Sequence, residues 1–277
     1  MLAPRLTAEV LLAHALRRER VYLYAHPEEE LTEIAWIHYG RYLHQRMQGM
    51  PTQYITKHQE FYGREFRVTS DVLIPRPETE HLVEAALARI GSGHTVVDIG
   101  TGSGALAVTL ALEKSVSVLA GDISAAAVSV ARGNAAHWKA PVQFFVGDLC
   151  LALAGRSVDV LVCNPPYVPQ TDQPSLQREV RDYEPHVALF GGPTGLELYQ
   201  RLIADASRVL RPGGWLLVEL GYNSVGPVSE MLGGGWRHVE ILSDLAGLPR
   251  VLAARYLPWS GKGEGGSQLP QSPTRDS

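Results

Sequence analysis

The chain has 277 residues, 45% of them hydrophobic, which is longer than one typical domain of ~100–200 residues and excludes a globally disordered protein. Its 25 basic and 29 acidic residues give a net charge of −4, so the chain as a whole does not have the basic character of a nucleic-acid-binding protein. The two cysteines, Cys150 and Cys163, exclude a disulfide framework and favour a reduced, cytoplasmic setting, and no apolar run reaches the ~18–20 residues of a membrane helix.

The first 52 residues have the spacing of apolar side chains that is typical of helices. Apolar residues recur three and four apart from Leu6 to Leu16, and Thr7 is expected to cap this helix by accepting hydrogen bonds from free N–H groups. A second amphipathic helix is expected around residues 31–48. Because short helices bury their apolar faces against one another or against a larger domain, we predict an N-terminal helical domain over residues 1–52.

A β-hairpin is expected between residues 53 and 74, because Gly63 separates two aromatic runs. The next segment, Pro75-Arg-Pro-Glu78, is stiff and extended, and its second proline can begin the following helix. Residues 75–258 then form a larger domain. Residues 259–277 are rich in glycine, serine and proline and predict a disordered tail.

From residue 95 onward, short apolar strands alternate with helices of about ten or more residues. The strands are expected at residues 96–97, 116–120, 142–146, 158–163 and 215–220, and the helices at residues 104–113, 125–137 and 195–210. This alternation predicts parallel βαβ units and therefore an α/β domain with a doubly wound sheet. Ligands of such sheets bind beyond the carboxyl ends of the strands, and polar motifs follow several of the predicted strands.

The first of these motifs is a glycine-rich segment, Gly100-Thr-Gly-Ser-Gly104, between a predicted strand and a predicted helix. Glycines at this position let the backbone approach a ligand closely at the N-terminus of a helix. The spacing Gly100-x-Gly102-x-x-Ala105 also matches a dinucleotide fingerprint. An ordinary tight turn between a strand and a helix has the same composition, so this segment alone leaves both interpretations open.

Two acidic residues follow the next two predicted strands. Asp122 comes 22 residues after Gly100 (122 − 100), close to the ~20 residues expected for a carboxylate that binds ribose hydroxyls. Asp148 follows the next strand and would lie beside an adenine ring. Each acid alone could instead cap a helix or shape a turn, but their common edge of the sheet favours the binding interpretation.

Asp98 ends the strand before the glycine-rich segment. A carboxylate there gains little beside a pyrophosphate, but it suits a ligand that ends in a sulfonium and an ammonium group. Asp98 therefore favours S-adenosylmethionine over a nicotinamide dinucleotide.

A fourth motif, Asn164-Pro-Pro-Tyr167, follows the predicted strand at residues 158–163. The Asn164 side-chain oxygen and the Pro165 carbonyl oxygen are acceptors, the prolines stiffen the loop, and the Tyr167 ring offers a face for stacking. Two such acceptors can hold both hydrogens of a planar –NH2 group and turn its lone pair towards a methyl donor. The alternative is a proline-rich turn in which Asn164 only shapes the backbone.

Together these motifs resemble the HemK/PrmC family of S-adenosylmethionine-dependent methyltransferases. The resemblance rests on Asp98–Gly104, Asn164–Tyr167, Ile74–Glu80, Glu184-Pro185, Arg211–Gly214 and Asp244–Gly247, and it extends from about Ala8 to Arg255. It implies methylation of the side-chain amide nitrogen (N5) of the glutamine in the Gly-Gly-Gln motif of peptide chain release factors. The fold it implies is a small helical N-terminal domain, expected to recognise the substrate, joined by a hairpin to a Rossmann-like methyltransferase domain.

The resemblance also implies a set of site residues. Those expected to contact the cofactor are Gly100, Thr101, Gly102, Ser103, Gly104, Asp122, Ile123, Asp148, Leu149 and Asn164. Those expected to receive the glutamine amide are Asn164, Pro165, Pro166 and Tyr167, with Asn164, Pro165 and Tyr167 in the catalytic role. The family signature contains Arg76 and Glu78 without assigning either a role.

The partners follow from the same resemblance. We expect a monomer that acts on release factors, with no nucleic-acid substrate and no membrane partner. No metal is expected, because the ten histidines do not have a metal-binding spacing.

Three alternatives remain. An adenine- or cytosine-amino methyltransferase could use the same acceptors after base flipping, but it would need a basic target-recognition region that the net charge of −4 does not support. A glutamine methyltransferase of another protein, such as a ribosomal protein, would differ only in how the helical domain recognises its substrate. A non-catalytic nucleotide-binding module would be expected to lose Asn164 or the glycine-rich segment, and both are present.

Overall fold

The computed structural model describes residues 3–258, so the tail predicted over residues 259–277 lies outside the described residues. The N-terminal part contains α1 (Pro4–Leu16), α2 (Arg20–Ala25), α3 (Glu33–Met47) and α4 (Thr52–Thr56), followed by β1 (His58–Phe61) and β2 (Arg64–Arg67). β1 and β2 pair antiparallel across Tyr62-Gly63, which confirms the hairpin predicted around Gly63.

The two amphipathic helices predicted near the N-terminus are present, but the first begins earlier than expected. α1 starts at Pro4, whose fixed φ suits the first turn of a helix. Thr7 therefore lies inside the helix, where its hydroxyl donates to the Ala3 carbonyl oxygen at 3.3 Å, and the capping prediction for Thr7 is wrong. α3 does have a side-chain cap, because the Thr32 hydroxyl oxygen accepts a hydrogen bond from the Ala35 N–H at 3.3 Å.

α4 lies at the predicted limit between the helical domain and the hairpin. Its residues Tyr54 and Ile55 are buried, and the Tyr54 hydroxyl donates to the Val72 carbonyl oxygen at 2.6 Å. α4 therefore connects the helical part to the segment that leads into the larger domain. The domain limits at residues 52 and 74 stay a prediction.

The larger domain alternates strands and helices. Its helices are α5 (Glu80–Leu87), α6 (Ala105–Lys114), α7 (Ala125–Trp138), α8 (Arg178–Tyr183), α9 (Glu197–Val209) and α10 (Val225–Glu230). Its strands are β3 (Val96–Ile99), β4 (Val118–Asp122), β5 (Val142–Val146), β6 (Val158–Cys163), β7 (Val168–Pro169), β8 (Phe190–Gly192), β9 (Leu210–Glu219), β10 (Trp236–Ser243) and β11 (Pro249–Tyr256). A short 3-10 turn, Pro77–Thr79, leads into α5, as the proline at its start predicts.

Within the described residues, seven strands form one sheet in the order β10-β11-β9-β6-β3-β4-β5. β3, β4, β5, β6 and β9 are parallel, which confirms the βαβ prediction, whereas β11 is antiparallel to both β9 and β10. β10 and β11 were not predicted. β10 is an edge strand that exposes most of its side chains, so its sequence has no alternating pattern. The turn between them is held by the Asp244 carboxylate, which accepts from the N–H groups of Ala246 and Leu248 at 2.9 Å each.

Both faces of the sheet are covered by helices. On one face Val96, Val160 and Leu217 pack with residues of α5 and α6, and on the other Leu161 and Leu216 pack with residues of α9. Because both faces are closed, polar side chains can reach a ligand only at the ends of the strands. In the part of the chain that the structure describes, no helix is long and apolar enough to cross a membrane.

The helical part packs against α8 of the larger domain. The guanidinium of Arg46 pairs with the Glu179 carboxylate, and the Tyr183 hydroxyl donates to the Gln48 carbonyl oxygen at 3.0 Å. α8 lies in the long connection that begins with the Asn164 motif. The helical part therefore contacts the same connection that carries a predicted site.

Candidate active site at the carboxyl edge of the sheet

A cavity opens at the carboxyl ends of the central strands, where the polar motifs follow β3, β4, β5 and β6. It is a cleft of about 890 Å³, part of which is open to solvent. The predicted site residues that line it are Gly100, Gly102, Asp122, Ile123, Asp148, Leu149, Asn164, Pro165 and Pro166. Residues far apart in the sequence are thus brought to one edge of the sheet, as predicted.

A second, smaller cavity meets the first, because Gly100, Gly102 and Asn164 line both. Its other lining residues include Arg76, Thr79, Asp98, Thr101 and Ser103. Gly104 lines neither cavity. A Cβ at Gly104 would stand 3.0 Å from the Cβ of Ala131, so this glycine lets α6 approach α7 closely.

The glycine-rich segment is held in place by the Asp122 carboxylate. Oδ2 of Asp122 accepts a hydrogen bond from the Gly102 N–H, and Oδ1 accepts one from the Ser124 N–H, each at 2.9 Å. The side-chain cap of α7 is Ser124, whose hydroxyl oxygen accepts from the Ala127 N–H at 3.2 Å. Each Asp122 oxygen retains a second lone pair, so the carboxylate can also accept ribose hydroxyls.

Asp98 is 1% exposed, and its Oδ2 has no hydrogen-bond partner among the described residues. Burial raises the pKa of Asp98 to about 7. A buried carboxyl oxygen without a partner is costly unless a compensating group binds to it. A ligand with a positively charged end fits this residue, and a pyrophosphate does not.

Three further predicted residues form another part of the cavity wall. Asp148 pairs with Arg201 of α9 at 2.6 Å, so its charge is partly balanced by the protein. Ile123 is exposed, and Leu149 follows Asp148 with a left-handed φ of 46°. An apolar surface with a few acceptors around it suits the flat ring and the sugar of a nucleoside.

Asn164 stands where the two cavities meet. Its side-chain Nδ2 donates a hydrogen bond to the Thr79 hydroxyl oxygen at 3.1 Å. With the nitrogen directed at Thr79, the carbonyl oxygen is the end of the amide that can accept from a ligand. Pro165 and Pro166 follow it along the wall of the first cavity.

Tyr167 belongs to the same loop as Asn164, but it is not among the described residues that line either cavity. Its ring packs against Gly221, where a Cβ would approach it to 2.9 Å, and it joins the core on the α9 face. Burial, together with a smaller effect of Glu219, raises the pKa of Tyr167 to about 12.

Two glycines hold the backbone of this motif. A Cβ at Gly191 would come within 2.4 Å of the Pro166 carbonyl oxygen, and a Cβ at Gly195 would come within 2.3 Å of the Tyr167 carbonyl oxygen. Neither distance is compatible with a larger residue at an unchanged backbone. The loop therefore depends on glycines in another segment of the chain.

Sequence patterns missed two polar residues of this region, Thr79 and Glu219. Glu219 ends β9 and is 2% exposed, and its Oε2 has no partner among the described residues. Burial raises the pKa of Glu219 to about 7. An acidic residue at the carboxyl end of an apolar strand is the same signal that identified Asp98 and Asp122, and Glu219 lies one residue before the end of the strand predicted at 215–220.

Cys163 and a possible metal site are the remaining candidates. Cys163 is buried, and burial raises the pKa of its thiol well above the ordinary value, which agrees with a structural role. Residues 3–258 contain no group of three or more metal-binding side chains.

Comparisons with known proteins agree with this arrangement. The PrmC N-terminal domain family matches residues 2–56, and the methyltransferase small domain family matches residues 77–180. A release factor glutamine methyltransferase of Koribacter versatilis is 47% identical to this chain over 257 residues, which are 91% of each chain. The corresponding protein of Nitratidesulfovibrio vulgaris is 44% identical over 261 residues, which are 91% of this chain and 88% of the other.

A solved structure supports the fold. A methyltransferase from Pyrococcus furiosus aligns with a TM-score of 0.56 at 18% identity, over 78% of this chain and 98% of the other. At this level of identity the likeness concerns the architecture, and it agrees with a methyltransferase fold.

Proposed function

The chain belongs to the release factor glutamine methyltransferase family, and on that premise we propose that it methylates a glutamine side chain of a peptide chain release factor. The methyl group comes from S-adenosylmethionine and is transferred to the amide nitrogen (N5) of the glutamine in a Gly-Gly-Gln motif. The structural observation that carries this proposal is the position of Asn164, where the cavity lined by Asp122 and Asp148 meets the cavity lined by Asp98.

The residues around the two cavities fit S-adenosylmethionine. When bound, this cofactor supplies an electrophilic methyl group on a positively charged sulfur. The glycine-rich segment, Asp122, and Asp148 with Leu149 would hold the adenosine. Asp98 supports the fit most directly, because its buried Oδ2 has no partner among the described residues and a positive charge would compensate it.

The mechanism follows from the weak nucleophilicity of an amide nitrogen, whose lone pair is delocalised into the carbonyl group. The Asn164 side-chain oxygen and the Pro165 carbonyl oxygen would accept the two amide hydrogens and concentrate electron density on the nitrogen. Asn164 and Pro165 would hold the nitrogen in place to receive the methyl group that the cofactor supplies, and water can accept the proton that the nitrogen then loses. The contribution of the protein is therefore positioning and fixed dipoles, without a strong base.

We propose that the helical domain recognises the folded substrate. α3 carries large apolar side chains that are exposed, among them Ile34 (70%), Trp36 (66%) and Ile37 (60%). Exposed apolar groups on one small element are typical of protein-binding surfaces, where an aromatic residue often carries most of the binding energy. The contacts between Arg46 and Glu179 and between Tyr183 and Gln48 would keep this surface at a fixed distance from the Asn164 loop.

We further propose that the protein acts in the cytoplasm as a monomer. Cys150 and Cys163 are both free and buried, as is usual in a reducing compartment. The cavities and the residues around Asn164 all come from one chain, so the site requires no second copy.

The test is methyl transfer from labelled S-adenosylmethionine to purified release factors, to ribosomal proteins and to RNA and DNA. Mass spectrometry of the modified peptide should locate one methyl group on the glutamine of the Gly-Gly-Gln motif. Modification of a ribosomal protein without the release factor would overturn the substrate assignment. Modification of a nucleic-acid base would overturn the amide chemistry as well.

A further inference from the structure

Thr79 and Glu219 lie next to Asn164 on the same side of the sheet. β6 and β9 are parallel neighbours in which Cys163 is level with Val218, so the next residues, Asn164 and Glu219, stand side by side at the carboxyl ends of the two strands. Thr79 directly precedes α5, and its hydroxyl oxygen accepts the hydrogen bond from Asn164 Nδ2. These three residues come from segments that are far apart in the sequence.

Glu219 does not reach the space where a reaction would occur. It is 2% exposed and is not among the residues that line either cavity. Its Oε2 has no hydrogen-bond partner among the described residues, and Thr79 and Tyr167 are the neighbouring side chains that lower its pKa against the effect of burial. Among charged groups, Glu78 raises the pKa of Glu219 and Arg250 lowers it. Any influence of Glu219 on the amide chemistry must therefore pass through a neighbouring side chain.

The direction of one hydrogen atom decides what Asn164 can do. A threonine hydroxyl has one hydrogen and two lone pairs, and the two ends of an asparagine amide have almost the same shape. If the Thr79 hydrogen pointed at Asn164, the amide would turn its oxygen to Thr79 and present NH2 to the cavity. Two NH2 groups would then face each other, and a target amide could not be held.

We propose that Thr79 and Glu219 are positioning residues that fix the orientation of the Asn164 amide. Glu219 accepts the Thr79 hydroxyl hydrogen, Thr79 offers its lone pair to Asn164 Nδ2, and the Asn164 oxygen is thereby turned towards the target amide. This inference rests on the proposed function, because it assigns the orientation that an amide substrate needs. Neither Thr79 nor Glu219 contacts the reacting atoms in this scheme.

The first test compares Thr79→Val, which removes the hydroxyl and keeps the shape, with Thr79→Ser, which keeps the hydroxyl. The valine variant should lower kcat by roughly 10–100-fold, because a misoriented acceptor no longer holds the target amide in the reactive position. The serine variant should restore most of the rate. Thr109→Val is the matched control, since Thr109 is fully buried in α6 and its hydroxyl has no partner among the described residues. It should leave kcat unchanged.

The second test varies Glu219. Glu219→Gln keeps an acceptor oxygen and should stay close to wild type, whereas Glu219→Met removes it and should match the Thr79→Val loss. The double variant Thr79→Val/Glu219→Met should be no slower than either single variant, because both remove the same relay. If the glutamine variant lost as much rate as the methionine variant, the acceptor role would be wrong. If the methionine variant failed to fold, Thr79→Val and the measurement of the Asn164 amide would decide.

That measurement is the NMR signal of the Asn164 side-chain NH2, assigned by its absence in Asn164→Asp. Thr79→Val should shift the signal or speed its hydrogen exchange, and Thr109→Val should not. Wild-type kcat together with an unmoved Asn164 signal in Thr79→Val would overturn the inference. If the wild-type protein did not methylate a release factor at all, the proposed function would fail, and the NMR comparison alone would still decide whether Thr79 orients Asn164.

Discussion

The guanidinium of Arg76 donates a hydrogen bond to the buried carboxylate of Glu184, 108 residues later in the chain. The same carboxylate accepts from the Ile74 N–H at 3.4 Å. These contacts fasten the segment before α5 to the segment after α8. Arg76, to which the family signature assigns no role, also lines the second cavity. Its pairing with Glu184 therefore ties the chain that follows the Asn164 motif to the wall of that cavity.

Removing the Arg76 side chain alone should destabilise the protein more than removing it together with the charge of Glu184. Burial raises the pKa of Glu184, and Arg76 is the main group that lowers it, so Arg76→Ala leaves a buried carboxylate without its cation. We expect a loss of about 1.5–3 kcal/mol in the free energy of unfolding, measured with urea. Arg76→Ala/Glu184→Gln should recover part of this loss, because the buried charge is gone. Equal stability of Arg76→Ala and wild type would contradict the role given to this pair.

Asp98 should make cofactor affinity depend on pH. Its pKa of about 7 lies above the ordinary 3.8, so the carboxyl group is mostly neutral at pH 6 and increasingly charged towards pH 7.5. A positively charged ligand binds the ionised form, so affinity should rise several-fold over this range, and binding near pH 7 should release protons. Calorimetry in two buffers of different ionisation enthalpy measures the protons released. Asp98→Asn should release none, and a pH profile of affinity unchanged by this substitution would remove Asp98 from the site.

The raised pKa values of Asp98 and Glu219 should make the ligand-free protein less stable as pH rises. Asp98 and Glu219 both have pKa values raised to about 7, so stability that is fully present below their ordinary pKa values is lost as pH increases through about 7. Glu219→Gln should reduce the decline measured by thermal unfolding between pH 5 and 8. A decline of the same size in this variant would mean that Glu219 does not titrate in this range.

Asp122 should matter for both the ligand and the loop. Asp122→Ala removes an acceptor for ribose and also the partner of the Gly102 N–H, so binding of S-adenosylmethionine should weaken by about 1.5–3 kcal/mol. Asp122→Asn keeps one acceptor oxygen and should lose less. The affinities of both variants, measured by calorimetry, show how much of the loss an acceptor oxygen at this position can prevent. Unchanged affinity in the alanine variant would exclude Asp122 from the binding site.

Asn164 and Tyr167 should separate rate from stability. Asn164→Ala should lower single-turnover methyl transfer by roughly 10²–10³-fold with little change in melting temperature. Tyr167→Ala should lower the melting temperature clearly, because its ring packs on Gly221 in the core, whereas Tyr167→Phe keeps the ring and should keep much of the activity. Near wild-type turnover in Asn164→Ala would rule out the proposed role of its amide oxygen.

The site residues that the sequence predicts best are those that directly follow a recognisable apolar strand. Gly100, Asp122 and Asp148 follow successive apolar strands, so topology alone brings them to one edge. The Asn164–Thr79 contact depends on how α5 packs on the sheet, and the Asn164–Glu219 neighbourhood depends on the register of β6 against β9. No local pattern encodes either.

The same distinction applies to the fold. The five parallel strands were predicted because each contains a short apolar run, and in β3 and β6 these runs are almost wholly buried. β10 and the position of the Tyr167 ring depend on which surface remains open after packing. The parallel strands can therefore be predicted from local composition, whereas β10 and the position of the Tyr167 ring can be read only from the folded protein.

The close approach of Gly191 and Gly195 to the carbonyl oxygens of Pro166 and Tyr167 enlarges the meaning of a four-letter motif. Two of its carbonyl groups are closely packed against residues outside the motif. The motif therefore adopts this loop conformation only together with Gly191 and Gly195. A chain that contains Asn-Pro-Pro-Tyr but has alanine at either glycine position would match a text search and still hold the loop in another shape. A search for this activity in other genomes should therefore require all six positions, the four of the motif together with Gly191 and Gly195.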